Sequence, residues 1–258
     1  MIGAIIGDVA GSIYEWRNIK TTDFPLLSPA CHFTDDSVMS IAVADALQHG
    51  TDISAAMRRY GNLYPYAGYG GRFRQWLNDS SMGDYGSFGN GSAMRASAAG
   101  WIAGSLEEAI EIGRQTAIPT HGHPEGVRGA QVVAGGVWLL RNGADRQQLR
   151  DWVTAQGYSL DFTLDEIRPT YRFDVTCQGS VPQAVVAFLE ADDFESAIRK
   201  AISIGGDSDT IACIAGSLAE AYFPVPEELI VQVCAKHPPD QLNPLIAFEA
   251  QYATPLPL

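Results

Sequence analysis

The sequence is poor in basic residues. Its 258 residues include 17 lysines and arginines against 30 aspartates and glutamates, which gives a formal net charge of −13. A protein that follows a nucleic-acid backbone or docks on an anionic membrane needs a basic surface, and this composition supports neither class. A small anionic ligand would have to be bound by local features of the chain.

Paired cysteines and long apolar runs are also missing. Cys31, Cys177, Cys213 and Cys234 form no CxxC pair and no zinc-knuckle spacing, so we expect reduced, mostly buried thiols. The apolar N-terminal stretch lacks a basic leader segment and contains Asp8, which is not typical of a signal peptide. Because no apolar run reaches the length of a membrane span, we predict a cytoplasmic protein.

The residues that are present predict an all-α fold. Hydrophobic residues make up 46 % of the chain and charged residues 18 %, a balance that favours an extensive core. No segment shows the alternation typical of a sheet, and we find no linker or repeat. We therefore predict a single domain over residues 1–258, with an irregular stretch at 157–176 and a proline-rich tail that forms a surface strap. The predicted helices include residues 2–15, 36–48, 52–64, 106–117, 125–140, 145–156, 193–204 and 227–236, and one from about Ser180 to Leu189.

Two acidic clusters, Thr34-Asp35-Asp36 and Gly206-Asp207-Ser208-Asp209-Thr210, each precede a helical pattern. Such residues are ordinary caps for a helix start, which is the simpler interpretation of either cluster alone. No lysine or arginine lies between Lys20 and Arg58 or between Lys200 and Lys236. If the clusters meet, four carboxylates would repel one another unless protons or cations neutralise them. Hard divalent cations, one or two of them, suit these oxygen ligands.

The first helix carries two stripes. Its glycines recur every four residues, at Gly3, Gly7 and Gly11, which indicates close approach of another backbone. A neighbouring polar stripe contains Asp8, Ser12 and Glu15. Taken alone, Glu15 is interpreted as a solvated surface acid.

Two glycine-rich loops, residues 67–72 and 86–95, have the composition of ligand-binding loops. The second leads into a helix with Arg95 in its first turn, which is suitable for phosphate oxygens but lacks the ending of a Walker A motif. The His121-x-His123 pair has no third soft ligand nearby, so we favour a hydrogen-bonding role for His121 over zinc binding. Thr120 or His121 is a candidate cap for the following helix.

Taken together, these motifs resemble the ADP-ribosylglycohydrolase family. The resemblance rests on five motifs in order and spans the chain from Gly3 to about Tyr222. They are Gly7-Asp8 with Glu15, Thr34-Asp35-Asp36, Gly89-Asn90-Gly91-Ser92-Ala93-Met94-Arg95, Thr120-His121-x-His123-Pro124-Glu125 and Gly206-Asp207-Ser208-Asp209-Thr210. Ser92, Ser208 and Glu220 depart mildly from the family pattern, and no expected ligand is missing.

The resemblance implies a compact orthogonal helix bundle that hydrolyses the glycosidic bond between ADP-ribose and an acceptor, with Glu15, Asp35 and Asp36 as catalytic residues. It implies two divalent cations, Mg²⁺ or Mn²⁺, with the ligands Thr34, Asp35, Asp36, Asp207, Asp209 and Thr210. It also implies that ADP-ribose contacts Gly68, Tyr69, Gly70, Gly71, Phe88, Gly89, Asn90, Gly91, Ser92, Ala93, Met94, Arg95 and His121.

Two other functions stay open at this point. A catalytically inactive sensor of ADP-ribose or another nucleotide would keep the same loops, and a metal-dependent phosphoesterase would use the same carboxylates. The acceptor is also open between a modified protein side chain, a nucleobase and a small ADP-ribose conjugate, although the acidic charge makes a nucleic acid the weaker candidate. Residues 17–31 and 157–176 are the expected selectivity loops.

Overall fold

The structure is a computed structural model that describes all 258 residues, and it confirms the all-α prediction. It contains no strand, only an isolated bridge between Gly89 and Thr176. None of the helices is long and apolar enough to cross a membrane. The fifteen helices are α1 (Ile2–Gly11), α2 (Asp35–His49), α3 (Ile53–Leu63), α4 (Gly71–Asn78), α5 (Gly91–Met94), α6 (Ser97–Ile102), α7 (Leu106–Ala117), α8 (Pro124–Arg141), α9 (Arg146–Ala155), α10 (Leu164–Ile167), α11 (Cys177–Leu189), α12 (Phe194–Ser203), α13 (Ser208–Glu220), α14 (Glu227–Cys234) and α15 (Pro239–Tyr252).

The centre of the fold is the pair formed by α1 and α13. The glycine stripe of α1 faces the backbone of α13: a Cβ added at Gly7 would lie closer than 3.0 Å to Ala212, and one added at Gly11 closer than 3.0 Å to Asp209. The backbone approach predicted from the stripe is therefore present. Because Gly11 packs on Asp209, this contact also fixes the start of α13 relative to the end of α1.

α13 is buried from Ser208 to Ala219 and also packs against α11 and α12. A helix that is apolar on all sides is expected in such a central position. The core around it is a cluster of 62 buried hydrophobic residues that extends from Met1 to Phe248. The two acidic clusters thus begin helices that are anchored in the core, and their side chains have little freedom to separate.

Several predicted boundaries were wrong. α1 ends at Gly11, so Glu15 lies in the turn that follows and not on the helix. The segment after Gly70 is helical because Phe73, Trp76 and Leu77 bury one face of α4. α11 begins at Cys177 and carries Pro182 inside it. The cap of α8 is His123, whose side chain accepts from the Glu125 N–H, and neither Thr120 nor His121.

The proline-rich tail is a helix and not the strap that we predicted. Pro239 lies at the first position of α15, where a proline is well tolerated, and Pro244 follows inside the helix. Leu245 and Phe248 are completely buried. Glu249 accepts a hydrogen bond from the Ile2 N–H at 2.7 Å. α15 is therefore helical despite its prolines, because its apolar side chains are buried against the rest of the fold.

Candidate active site

The two acidic clusters meet at the base of a cleft. The Thr210 hydroxyl donates to Asp36 at 3.3 Å, which joins the start of α13 to the start of α2. Glu15, Asp207 and Asp209 each contribute a carboxylate oxygen to a group whose atoms lie within 4.8 Å of one another. The structure therefore brings together two acidic clusters that are far apart in the sequence. The contacting residues Asp36 and Thr210 are separated by 174 positions.

A buried aspartate supports the first cluster from behind. Asp8 accepts hydrogen bonds from the Thr34 N–H at 2.9 Å, from the Thr34 hydroxyl at 2.6 Å and from the Ser37 N–H at 3.0 Å, and it also accepts from the Ser37 hydroxyl. Thr34 is the N-cap of α2 and does not line the cleft. Asp8 was not among our predicted site residues, although its place in the polar stripe of the first helix was the available signal.

Some carboxylate oxygens in the cleft have no partner. Asp36 Oδ2 and Asp209 Oδ1 are buried and form no hydrogen bond. No lysine or arginine forms an ion pair with Glu15, Asp35, Asp36, Asp207 or Asp209. Buried charges without partners are strongly unfavourable, and an all-oxygen acidic set is the kind that hard divalent cations prefer. The residues present therefore fit a divalent metal ion.

The acids also raise one another's pKa. Burial, followed by the negative charges of Asp8 and Asp207, raises the pKa of Asp35 to about 8. Burial and the neighbouring Asp207 raise the pKa of Glu15 to about 7. Burial raises the pKa of Asp209 well above its ordinary value, and nearby carboxylates add to the effect. A cation that enters this site would displace protons.

The cleft has a volume of about 520 Å³, which is within the range of small-ligand sites. Gly68, with a positive φ of 114°, is packed beside the carboxylate of Asp35. Asn90 in the other loop donates to Asp207 at 2.7 Å and to Ser180 at 2.9 Å. Both loops are thus held against the acidic clusters. The predicted ligand residues that line the cleft are Gly68, Gly70, Gly71, Phe88, Gly89, Asn90, Gly91, Met94, Arg95 and His121.

The other predicted ligand residues, Tyr69, Ser92 and Ala93, lie behind the cleft. The Ser92 hydroxyl, for example, donates to the Gly126 carbonyl at 2.7 Å. These three residues support the loops and do not face a ligand. The glycine-loop pattern alone does not distinguish the side that faces the cleft from the side that faces the core.

Arg95 supports its loop and presents no free cation. Its guanidinium is buried and donates to the carbonyls of Gly91 and Thr116 and to the Thr120 hydroxyl. Thr120 in turn lies 2.7 Å from Nδ1 of His121. A hydroxyl that accepts from Arg95 is free to donate to Nδ1, so we assign the imidazole proton to Nε2, which lies next to Gly91. Burial and the charge of Arg95 hold the pKa of His121 well below its usual range.

The sequence analysis did not name three residues that lie in or beside the mouth of the cleft, although Asn18 and Phe173 belong to the predicted selectivity loops at 17–31 and 157–176. Trp16 and Phe173 stack on each other with ring centroids 5.2 Å apart, and both line the cleft. Asn18 forms hydrogen bonds with Gly206, next to Asp207. No spacing rule predicts these contacts because each joins two loops that are distant in the chain.

Comparisons with known proteins agree with this geometry. A family model described as ADP-ribosylglycohydrolase matches residues 1–251. The human ADP-ribosylhydrolase ARH3 is 26 % identical over an alignment 304 positions long, which covers 86 % of this chain and 84 % of the relative. The ADP-ribosylarginine hydrolase Tri1 of Pseudomonas putida (strain GB-1) is 26 % identical, covering 87 % and 70 %. A solved structure titled "ADP-ribosylglycohydrolase-related protein complex" has a TM-score of 0.68 and 22 % identity, covering 90 % and 93 %, so the two chains share a fold.

Proposed function

The chain belongs to the ADP-ribosylglycohydrolase family, and from this premise we propose that it hydrolyses the glycosidic bond between ADP-ribose and an acceptor and releases ADP-ribose. The names of the relatives ARH3 and Tri1 support an ADP-ribosyl hydrolase activity. The observation that carries the proposal is the contact of Asp36 with Thr210 at the base of a cleft whose walls are glycine loops.

ADP-ribose would lie along the two glycine loops. The Gly91 N–H and the Nε2–H of His121 provide donors for the diphosphate, whereas the Gly89 N–H already donates to the Ser87 hydroxyl at 3.1 Å. Phe88 is 47 % exposed and offers a ring for stacking against the adenine. This placement directs the distal ribose toward the carboxylates at the base of the cleft.

We propose Mg²⁺ or Mn²⁺ as the cofactor, in two positions. Thr34, Asp35, Asp36, Asp207, Asp209 and Thr210 would hold the cations. The Thr34 hydroxyl donates its proton to Asp8 at 2.6 Å, and its oxygen keeps lone pairs that could bind a cation. Cations held there would polarise oxygen atoms of the ribose and lower the pKa of a bound water.

Glu15 is the proposed general acid and base. It lines the cleft, and its carboxylate lies within 4.8 Å of Asp207 and Asp209, so it can exchange a proton beside the proposed cation site. Cleavage at C1 of the ribose develops positive charge on the sugar. Water supplies the hydroxyl that C1 gains, and the acceptor leaves with a proton.

The test is the release of ADP-ribose from arginine-linked and serine-linked ADP-ribosyl peptides with Mg²⁺, with Mn²⁺ or with a chelator. Asp209→Asn should reduce turnover by about 100-fold or more. Asp145→Asn is the matched control, because Asp145 caps α9 and does not line the cleft. It should stay within about twofold of wild type.

Two results would overturn the proposal. A protein that binds ADP-ribose but releases none from any linkage is a sensor. A protein that instead liberates AMP or phosphate is a phosphoesterase. Full activity in the presence of a chelator would show that the reaction does not need cations, and the proposed hydrolase function would still stand.

The cytoplasm remains our proposed location. All four cysteines are free and buried, which is consistent with a reducing compartment.

A further inference from the structure

An aromatic pair at the mouth of the cleft has no role in the reaction described so far. The rings of Trp16 and Phe173 are stacked, with an interplanar angle of 24°. Trp16 is 78 % exposed and Phe173 is 42 % exposed. Exposed rings of this size at a cleft mouth indicate a contact surface for a ligand. The outer face of the indole is open for a further group to stack on it.

Both halves of the pair are anchored on the same loop. Trp16 lies in the turn that Asn18 holds to Gly206, through hydrogen bonds of 2.8 and 2.9 Å. Two residues before Phe173, the Tyr171 ring packs over Gly206. The pair is therefore fixed beside the acidic cluster, because the next residue after Gly206 is Asp207.

The pair lies where the acceptor must be. Trp16 directly follows Glu15, the residue that has to reach the bond between C1 and the acceptor. The donors for the diphosphate are at the other loops, and the Phe88 ring is turned toward His123, with centroids 5.3 Å apart. A group bonded to C1 would thus leave the base of the cleft along Trp16 and Phe173.

The charges next to the pair favour a cation. Glu15 and Asp207 line the cleft here. The nearby cations are directed elsewhere: Lys20 and Arg172 donate to the Tyr171 carbonyl at 2.9 and 3.4 Å. Arg17 does not line the cleft. A flat cation stacked on an indole gains the cation–π attraction, and the carboxylate of Glu15, which is not among the proposed ligands of the cations, adds a favourable charge.

We propose that Trp16 and Phe173 form the acceptor platform of this enzyme and select a planar, positively charged acceptor, the guanidinium of a modified arginine, over the hydroxyl of a modified serine. The inference rests on the proposed function, since it assigns the acceptor side of the same cleft. Trp16 supplies the stacking face, and Phe173 holds the indole in place from behind.

The test compares Trp16→Ala, Trp16→Phe and Phe173→Ala on arginine-linked and serine-linked ADP-ribosyl peptides. Trp16→Ala should lower kcat/KM for the arginine-linked peptide about tenfold, which is the size of a desolvated cation–π contact. Trp16→Phe keeps a ring and should lose only about twofold. The serine-linked value and the affinity for free ADP-ribose, measured by calorimetry, should change less than about twofold.

Three outcomes would overturn the inference. Equal losses on both peptides would show a structural role, and an unchanged selectivity ratio in Trp16→Ala would show no role. Weaker binding of free ADP-ribose would place the platform on the nucleotide side. Failure of the underlying function is distinguishable, because wild-type protein would then release ADP-ribose from neither peptide.

Discussion

Asn18 and Gly206 exchange two hydrogen bonds. The Asn18 amide donates to the Gly206 carbonyl at 2.9 Å, and the Gly206 N–H donates to the Asn18 carbonyl oxygen at 2.8 Å. The same amide also bonds the carbonyls of Tyr14 and Glu15. The turn that carries Glu15 and the loop that leads to Asp207 are thus fixed to each other.

Asn18 is therefore predicted to position Glu15. Asn18→Ala should lower kcat about tenfold, because hydrogen bonds worth about 1 kcal/mol each no longer hold the turn. Affinity for free ADP-ribose should not change, since Asn18 does not line the cleft. Steady-state kinetics and calorimetry measure the two effects. Asn62→Ala removes a similar amide, which bonds Arg58 and Leu77, and is the control; an equal loss of kcat there would contradict a specific role for Asn18.

The metal-free protein should be less stable at about pH 8 than at about pH 5.5. The pKa rises from 4.5 to about 7 for Glu15 and from 3.8 to about 8 for Asp35, so the folded state holds more protons than the unfolded chain in this range. Stability then falls as pH rises. Thermal unfolding in a chelator measures this slope.

Mg²⁺ should reverse that dependence, because it binds the ionised carboxylates of the folded state and stabilises them most where protons have left. Asp209→Asn should reduce the stabilisation by Mg²⁺. A pH slope that is the same with and without Mg²⁺ would contradict a cation site at these acids.

Gly7→Ala should destabilise the protein by about 2 kcal/mol or more. The added Cβ would lie closer than 3.0 Å to the Ala212 backbone, which cannot move without separating α1 from α13. Urea unfolding measures the change. Gly83→Ala is the matched control because no atom lies within 4 Å of its Cβ position, and similar losses in both variants would argue against the helix contact.

His121→Ala should weaken the binding of free ADP-ribose about tenfold, since it removes the donor next to Gly91. The shift in unfolding temperature caused by Mg²⁺ should stay as in wild type, because His121 is not among the proposed ligands. His49→Ala changes an exposed histidine and should have no effect. Unaltered ADP-ribose affinity in His121→Ala would remove this residue from the ligand site.

The sequence predicted the parts of the site that follow from local chemistry. Asp36 and Asp209 lie at helix starts without basic neighbours, so a candidate cation site could be predicted from the sequence. The stripe at Gly7 and Gly11 likewise predicted a close helix partner. These features depend on residue type and spacing, which can be read directly from the sequence.

The parts that were missed depend on how loops meet. Trp16 and Phe173 lie more than 150 residues apart in the chain, and no periodic pattern predicts their contact. Asp8 was assigned to a polar stripe and not to the site. Its hydrogen bonds with Thr34 and Ser37 form only when α1 packs against the start of α2, so the sequence did not reveal them. The proline-rich tail was predicted to be a surface strap, whereas tertiary packing keeps α15 helical around Pro244. The single domain over residues 1–258 and the roles of the site residues stay predictions.

The pairing of α1 with α13 has a consequence for biosynthesis. When Glu15 and Asp36 have been synthesised, the ribosome has not yet made α13, the helix on which the glycine stripe of α1 packs. Until α13 emerges, the apolar first helix has no native partner, so the nascent chain must be sheltered or must wait. The cleft between the starts of α2 and α13 can therefore form only late in translation, after the residues of α13 have been made.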